Sequence, residues 1–260
     1  MTTPMMQQYR EAKERHPGML LMFRMGDFYE FFLEDAEIAA RVLGLTLTSR
    51  DKAIPMAGVP YRQLDTYLQR LLQAGHRVAV CDQVEDPAQA KGLVRREVTR
   101  VVTPGTVTED GLLDPRLSNH LVALRPGNPA GLAWLDLSTG QFHAADIAPD
   151  RLRDELARLA PRECLCPEKA ANSVTELVAP LASAATITSR PDWTFDPESA
   201  RAALYRHFGV TTMGGFGFED DQAALDAAGA LLLYAQEMLK TELAHVRRLQ
   251  PHCPGSVLQL

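Results

Sequence analysis

The chain has 260 residues, 46% of them hydrophobic, and a formal net charge of −6. That is enough apolar material for one large core or two modest ones, and it excludes an intrinsically disordered polymer. No apolar run reaches the roughly 18 residues of a membrane span, and the polar opening MTTPMMQQYREAKERH lacks a signal-peptide core, so a soluble, cytoplasmic protein with no membrane partner is expected.

The charge is unevenly spread. Residues 1–107 carry a net +1 and residues 108–260 a net −7, so only the first part can approach a phosphate backbone without strong repulsion. Cys81, Cys164, Cys166 and Cys253 form one CxC and two distant singles. This is neither a zinc spacing nor a disulfide framework, and reduced, mostly buried thiols are expected.

In chain order, Thr3-Pro4 opens a helix that Pro17-Gly18 stops. LLMFRM (20–25) reads as a short buried strand, and Gly26-Asp27 turns the chain. In FYEFFLEDAEIAARVLGL (28–45), Tyr29, Phe32, Ala36, Ala39, Ala40 and Leu43 recur at spacings of three and four, which predicts a helix ended by Gly44. LTLTSR predicts a strand, and the Gly- and Pro-rich DKAIPMAGVPYRQ (51–63) a loop. LDTYLQRLLQAG predicts a helix with Leu64, Leu68, Leu71 and Leu72 facing inward and Gly75 as its stop. HRVAVCDQV alternates like a strand, DPAQAKG is a turn or short helix, and REVTRVVTPGT is a further strand.

Residues 104–119 are turn-rich and lack a period, which predicts a domain boundary there, with residues 108–119 as linker. HLVALRP, GLAWLDLST and QFHAADI then form a predicted antiparallel meander. RLRDELARLA (helix), ECLCP (strand), NSVTELVAPLA (helix) and ATITSRP (strand) follow, then a helix capped by Asp196 with Pro197 in its first turn, and a long final helix. Three antiparallel strands followed by alternating helices and strands is the order of an RNase H-like sheet. The fold class expected is therefore α/β: an α+β mixed-sheet domain followed by an RNase H-like α/β domain.

RMGDFYEFF (24–32) carries the chemistry. Asp27 and Glu30 fit a capping box at the start of the expected helix. On that helix Phe28 lies at the edge of the buried face and Glu30 outside it, and both lean past the N-terminal end. An exposed aromatic ring can wedge between base steps or stack on an exposed base. A carboxylate is a poor phosphate ligand, yet it is a good partner for a base edge. The pair suits a probe that penalises intact duplex and rewards a disturbed one.

TPMMQQY, LLMFRMGDFYEFF, IPMAGVPY, VCDQVEDPAQAKG, REVTRVVTPGT, LDLSTGQF, HFGV, GFGFED and the long helix ending in HVRRL together resemble the N-terminal part of the bacterial MutS family of DNA mismatch-repair proteins, over essentially the whole chain. The resemblance implies a mismatch-recognition domain at 1–107 and a connector domain at 120–247, with residues 248–260 starting a truncated core. It implies that Phe28 stacks on the mispaired base and Glu30 hydrogen-bonds it. Met25, Asp27, Arg50, Lys52 and Met56 then lie at positions near the DNA backbone, with Gly58 allowing close approach to the minor groove. Lys91, Arg95, Arg96 and Arg100 read as a solvated face. The implied partners are mismatched double-stranded DNA and, through the connector, MutL. The full-length family is a homodimer, and this piece is expected to be a monomer.

Full-length members use ATP and Mg2+ at a GxxxxGK[ST] loop. That pattern does not occur here, and GGFGFED (214–220) lacks its Lys-Ser/Thr. The chain is therefore expected to be an N-terminal fragment without cofactor, metal site, catalytic residues or ATPase activity of its own. Two alternatives stand beside this reading. One is an RNase H-like metal-dependent nuclease using Asp136, Asp220 and Asp221. The other is a protein-interaction fragment without autonomous DNA binding.

Overall fold

The computed structural model describes residues 3–50, 54–85, 92–108, 111–112, 118–182 and 185–253, the side chain of Arg50 excepted. The chain divides into two units, Met1–Pro104 and Gly105–Leu260, each a sheet with helices against it, in keeping with the α/β class.

In the first unit, α1 (Pro4–Glu14) begins as the sequence directs. Thr3 is its cap, accepting a hydrogen bond from the Met6 amide, with Pro4 at the first position. β1 (Leu20–Met25) follows. The next segment departs from expectation: Phe28–Phe32 is a strand, β2, and the helix α2 begins only at Glu34 and runs to Leu43. Aromatic residues at four of the five positions favour a pleated, half-buried surface over a helix, and the turn at Gly26 folds β2 back on β1. Gly44, in the left-handed region, ends α2 as expected.

β3 (Thr48–Arg50) leads to β4 (Ile54–Pro60), which also corrects the sequence reading, since a loop was expected there. Its prolines sit at the second and last positions, where they interrupt the ladder least. After the turn at Tyr61–Gln63 comes α3 (Leu64–Gln73), burying Leu68, Leu71 and Leu72, while Leu64 is only half-buried. β5 (Val78–Gln83) and β6 (Arg96–Val102) complete a six-stranded sheet of order β3-β4-β2-β1-β5-β6. β1 and β5 are parallel and the other neighbours antiparallel. DPAQAKG lies mostly outside the described residues.

Asp35, 4% exposed, ties helices to sheet. It accepts hydrogen bonds from Lys13 Nζ (2.6 Å) of α1, from the Leu21 amide (3.0 Å) of β1, and from the Tyr9 hydroxyl (3.0 Å), which also lies 3.1 Å from the Phe32 carbonyl. Burial, and then the Asp35 carboxylate, push the Tyr9 phenol well above its ordinary value.

The second unit follows the expected order. β7 (His120–Arg125), β8 (Ala130–Asp136) and β9 (Gln141–Ile147) form the meander. α4 (Leu152–Leu159), β10 (Glu163–Pro167), α5 (Ala171–Val178) and β11 (Thr186–Arg190) come next, with β10 parallel to both β7 and β11. Helix α6 (Pro197–Phe208) begins after Asp196, whose side chain makes no capping bond, and α7 (Ala223–Leu239) is the long final helix. β12 (Leu249–Pro251), not expected from sequence, pairs in parallel with β9. The sheet order is β11-β10-β7-β8-β9-β12. Val122, Trp134 and Cys166 pack with Leu156 and Leu159 of α4 and Val174 and Val178 of α5. Helix α7 lies against β7, β8 and β9, so the strands read as nearly continuous apolar runs because both faces are covered.

Candidate nucleic-acid interface

β1 and β2 form a hairpin closed by Gly26-Asp27. Gly26 has φ +58°, a left-handed conformation that a residue without Cβ adopts freely at a two-residue hairpin turn. Register fixes which side chains share a face. Met25 pairs with Phe28 and Phe23 with Glu30 across β1 and β2. Phe28 pairs with Pro60, Glu30 with Gly58 and Phe32 with Met56 across β2 and β4. Directly opposed residues point to the same side, so Met25, Phe28, Glu30, Met56 and Gly58 lie on one face.

Helix α1 covers the other end of that face. The Tyr9 ring meets Phe23 and Phe32 edge-on, at centroid distances of 5.6 and 5.1 Å. Phe23 and Phe32 are fully buried, whereas Phe28 is 47% exposed. Met25, Glu30 and Gly58 are half-buried beside it, and Met56 is half-buried farther along β4, opposite Phe32. A Cβ placed on Gly58 would lie 3.6 Å from Glu30 Cγ and 3.8 Å from Phe28 Cδ1, so the glycine forms a floor between the two side chains. The opposite face of β2 carries Tyr29 and Phe31, at 3% and 0% exposure.

The hairpin is braced from behind. The Tyr29 hydroxyl donates to Asp82 Oδ1 (2.5 Å), whose Oδ2 accepts from Thr99 Oγ1 (2.7 Å). Burial, with the bond to Asp82, pushes the Tyr29 phenol up to about 12. The Arg24 guanidinium stacks 3.8 Å from the Tyr61 ring centroid and 5.4 Å from that of Tyr29, and its Nε donates to the Gly26 carbonyl. The Tyr61 amide donates to Asp27 O (2.9 Å). Arg96 corrects the solvated-face reading. It is half-buried, donates from Nε to Arg24 O (2.6 Å) and from Nη1 to Val94 O (2.8 Å), and lies 5.2 Å from the Phe23 ring. Arg100 is within 3.8 Å of Asp65, exposed Arg95 is 3.7 Å from Glu97, and Lys91 is outside the described residues.

The remaining site residues divide as follows. Asp27 sits in the hairpin turn and caps no helix, and Glu30 is a strand residue, so the capping-box reading is corrected. The backbone of Arg50 pairs with Ile54 at the β3–β4 edge of the same sheet. Lys52 lies outside the described residues. Sequence reasoning missed the Arg24–Tyr61 stack. The signal available was Arg24 alternating out of an apolar strand, next to the turn.

In the second unit the acids considered for metal binding are not gathered. Asp136 Oδ1 accepts from Ser138 N (2.9 Å), Ser138 Oγ (2.6 Å) and Thr139 N (3.2 Å), closing the turn after β8. Asp220 accepts from the Tyr205 hydroxyl (3.0 Å) just before α7. The start of α7 meets Gly131, at the opposite end of β8, roughly 17 Å from Asp136 at about 3.4 Å per strand residue. Near Gly131, Asp146 accepts from the Ala224 amide (2.7 Å) and Asp226 pairs with Arg125 (3.1 Å). Burial raises both carboxyls above their ordinary range. Among the described residues no group of three or more His, Cys, Asp or Glu is placed to hold a metal ion.

Comparison with known families decides the relationship. The model "MutS domain I" matches residues 3–111, and "MutS domain II" matches residues 119–247. The chain belongs to the MutS family. It is 47% identical over 284 aligned positions to the DNA mismatch repair protein MutS of Rhodopirellula baltica, and 44% identical over 269 to that of Symbiobacterium thermophilum. Each alignment covers 99% of this chain and 31% of the relative, so the chain spans under a third of the length of these MutS proteins. The open hairpin face lies within the MutS domain I match, and Asp136, Asp220 and Asp221 lie within the domain II match.

Proposed function

We propose that the domain at 1–107 probes duplex DNA for mismatched or unpaired bases, with Phe28 as the wedge and Glu30 as the base-edge partner. The observation that carries this reading is a half-exposed phenyl ring beside a carboxylate, on the uncovered end of a sheet face whose remaining aromatics are buried. By register the two side chains project from the same face of β2, so the ring can stack on the mispaired base while the carboxylate reaches an edge of that base. Stacking returns about 1–3 kcal/mol per base, and unstacking a matched step costs a few kcal/mol. These nearly cancel on intact duplex. A mispaired base has already lost part of that cost, and a difference of about 1.4 kcal/mol gives tenfold preference.

The domain at 120–247 acts as a connector that relays to the ATPase core of the full-length protein, where ATP and Mg2+ bind, and offers its acidic surface to MutL. The dispersed acids of this domain favour a scaffold over a nuclease.

The test is a low-salt anisotropy titration with two duplexes that differ by one G·T pair or one unpaired T. The expected result is a preference for the flawed duplex that Phe28→Ala removes without loss of thermal stability. Equal binding of both duplexes by the unmodified chain would refute autonomous probing and favour a protein-docking fragment.

A further inference from the structure

We propose that Arg96 is a positioning residue for Glu30: its guanidinium, laid across the sheet face to Phe23, keeps the Glu30 carboxyl ionised when DNA is bound, so that Glu30 reads donor edges of the mispaired base. The proposal rests on the duplex-probing reading above and adds to it the class of base edge that is rewarded.

Register lays out the face. Phe23 stands opposite Glu30 on β2 and opposite Cys81 on β5, while Cys81 opposes Val98 and Gln83 opposes Arg96 on β6. Opposed residues point to the same side, so Arg96 and Glu30 emerge on one face, with β1 and β5 between their strands. The Arg96 side chain spans that gap. Its Nε reaches Arg24 O on β1 (2.6 Å), and its guanidinium lies 5.2 Å from the ring of Phe23, the strand partner of Glu30. Its other bonds go to Val94 O (2.8 Å) and Gln8 Oε1 (3.4 Å). All three acceptors are neutral, so they fix the fork in place without cancelling its charge. Burial works against the charged form of Arg96, and Cys81 and Glu30 favour it; arginine stays protonated throughout.

A carboxylate brought among phosphates takes up a proton more readily, because like charges disfavour its ionised form. A fixed cation beneath it acts in the opposite sense. The outcome decides the chemistry of reading, since an ionised carboxylate only accepts hydrogen bonds and a protonated one donates. Held ionised, Glu30 rewards a base edge with a free N–H, such as the imino group of an unpaired thymine, and penalises an edge that shows acceptors alone. The other titratable groups around this face do not supply the cation. Burial pushes the Cys81 thiol up to about 12, and burial followed by Asp35 raises the Tyr9 phenol of α1 further. Lys13 of α1 is bonded to Asp35 of α2 (2.6 Å), Arg10 of α1 is exposed, and β4 contributes the uncharged Met56 and Gly58. Asp27, in the turn, is a second carboxyl near the site, which the control below separates from Glu30.

The test measures the ratio of affinities for a duplex with one unpaired T and its matched counterpart as pH is lowered from neutral into the acid range, with Arg96→Met, Arg96→Lys and Glu30→Gln. Carboxyl NMR of Glu30 in the DNA-free chain runs alongside. In the unmodified chain the ratio is expected to fall as Glu30 takes up its proton. Arg96 favours the ionised form, so Arg96→Met should move that fall, and the NMR midpoint, to higher pH by about one unit. Arg96→Lys keeps the charge and should restore both midpoints, even where the lost fork lowers affinity overall. Glu30→Gln should remove the pH dependence of the ratio. An Arg96→Met variant whose affinity drops equally at every pH, with both midpoints unmoved, overturns the proposal and leaves Arg96 a packing residue. Arg96→Lys behaving as Arg96→Met overturns it as well, because charge then is not what matters. A moved NMR midpoint in a chain that never prefers the flawed duplex overturns the probing reading and spares the coupling of Arg96 to Glu30.

Discussion

Replacing Asp35 by alanine should loosen the platform on which the hairpin stands. The carboxylate is 4% exposed and gathers three donors, Lys13 Nζ, the Leu21 amide and the Tyr9 hydroxyl. They do not suffer equally. Lys13 is about one-third exposed and keeps the Met19 carbonyl, and Tyr9 keeps the Phe32 carbonyl. The Leu21 amide, on a fully buried residue of β1, has lost the partner that Asp35 supplied. A hydrogen bond to a charged group is worth about 1.5–3 kcal/mol, and leaving its buried partner unsatisfied costs a similar amount. With partial losses at Lys13 and Tyr9, the substitution should cost about 3 kcal/mol, at the low end for a broken buried ion pair. For a domain of this size that corresponds to a fall in Tm of roughly 12–24 °C.

Calorimetry resolves the transition of the first unit, and Asp35→Asn provides the control. The amide can still accept from the Leu21 amide and Tyr9 but loses the charge facing Lys13, so about half the destabilisation is expected. A loss below about 1 kcal/mol in Asp35→Ala would refute the account, because it would mean that the three donors find equal partners elsewhere.

Alkaline stability should follow the buried phenols. Tyr29 is raised to about 12 by burial and by Asp82, and Tyr9 is raised for the same kinds of reason. A phenol whose folded pKa exceeds its unfolded value contributes stability that is complete below about pH 10 and declines as pH rises from 10 toward 12. Denaturant midpoints across that window should fall, and Tyr29→Phe should reduce the fall; a flat profile would contradict the burial argument. Two glycines give opposite outcomes on substitution. A Cβ at Gly131 would lie 2.0 Å from the Ala223 carbonyl oxygen, so Gly131→Ala should destabilise the second unit by about 3 kcal/mol, at the upper end of overpacking costs. At Gly58 the nearest atoms are at 3.6 Å, so Gly58→Ala should leave the melting transition within about 0.5 kcal/mol. Its methyl group would nevertheless stand between Phe28 and Glu30 and lower affinity for the flawed duplex.

Much of the second unit was legible because its signals are local. The meander has short strands separated by turn residues, and the helices carry clear periods. Cys164 and Cys166, inward-facing on β10, read as buried hydrophobes and are. β12 was not legible, since three residues pairing with β9 more than a hundred positions earlier leave no local pattern. In the first unit the misreadings cluster on β2 and β4, which pair with each other. Tyr29, Phe32, Ala36 and Ala39 satisfy a helical period only by mixing the two faces of a strand with one face of α2. Phe32 turns toward Tyr9 of α1, whereas Tyr29 turns toward Asp82. Pro55 and Pro60 hid β4, because proline argues for a loop until a partner strand shows that it sits near a strand end.

The misreading also bears on mechanism. At the end of a helix, Phe28 and Glu30 would point about 200° apart around the axis at about 100° per residue, and joint contact with one base would need both to bend past the helix end. On β2 they point the same way by register, with Gly58 between them and Tyr29 and Phe31 anchoring the strand from the other side. A wedge and a hydrogen-bonding partner that must act on the same disturbed step gain from this arrangement. Neither side chain then needs to reorganise before contact, and the ordering entropy is met by folding instead of binding. The strand therefore accounts better than the helix for an aromatic ring and a carboxylate placed two residues apart.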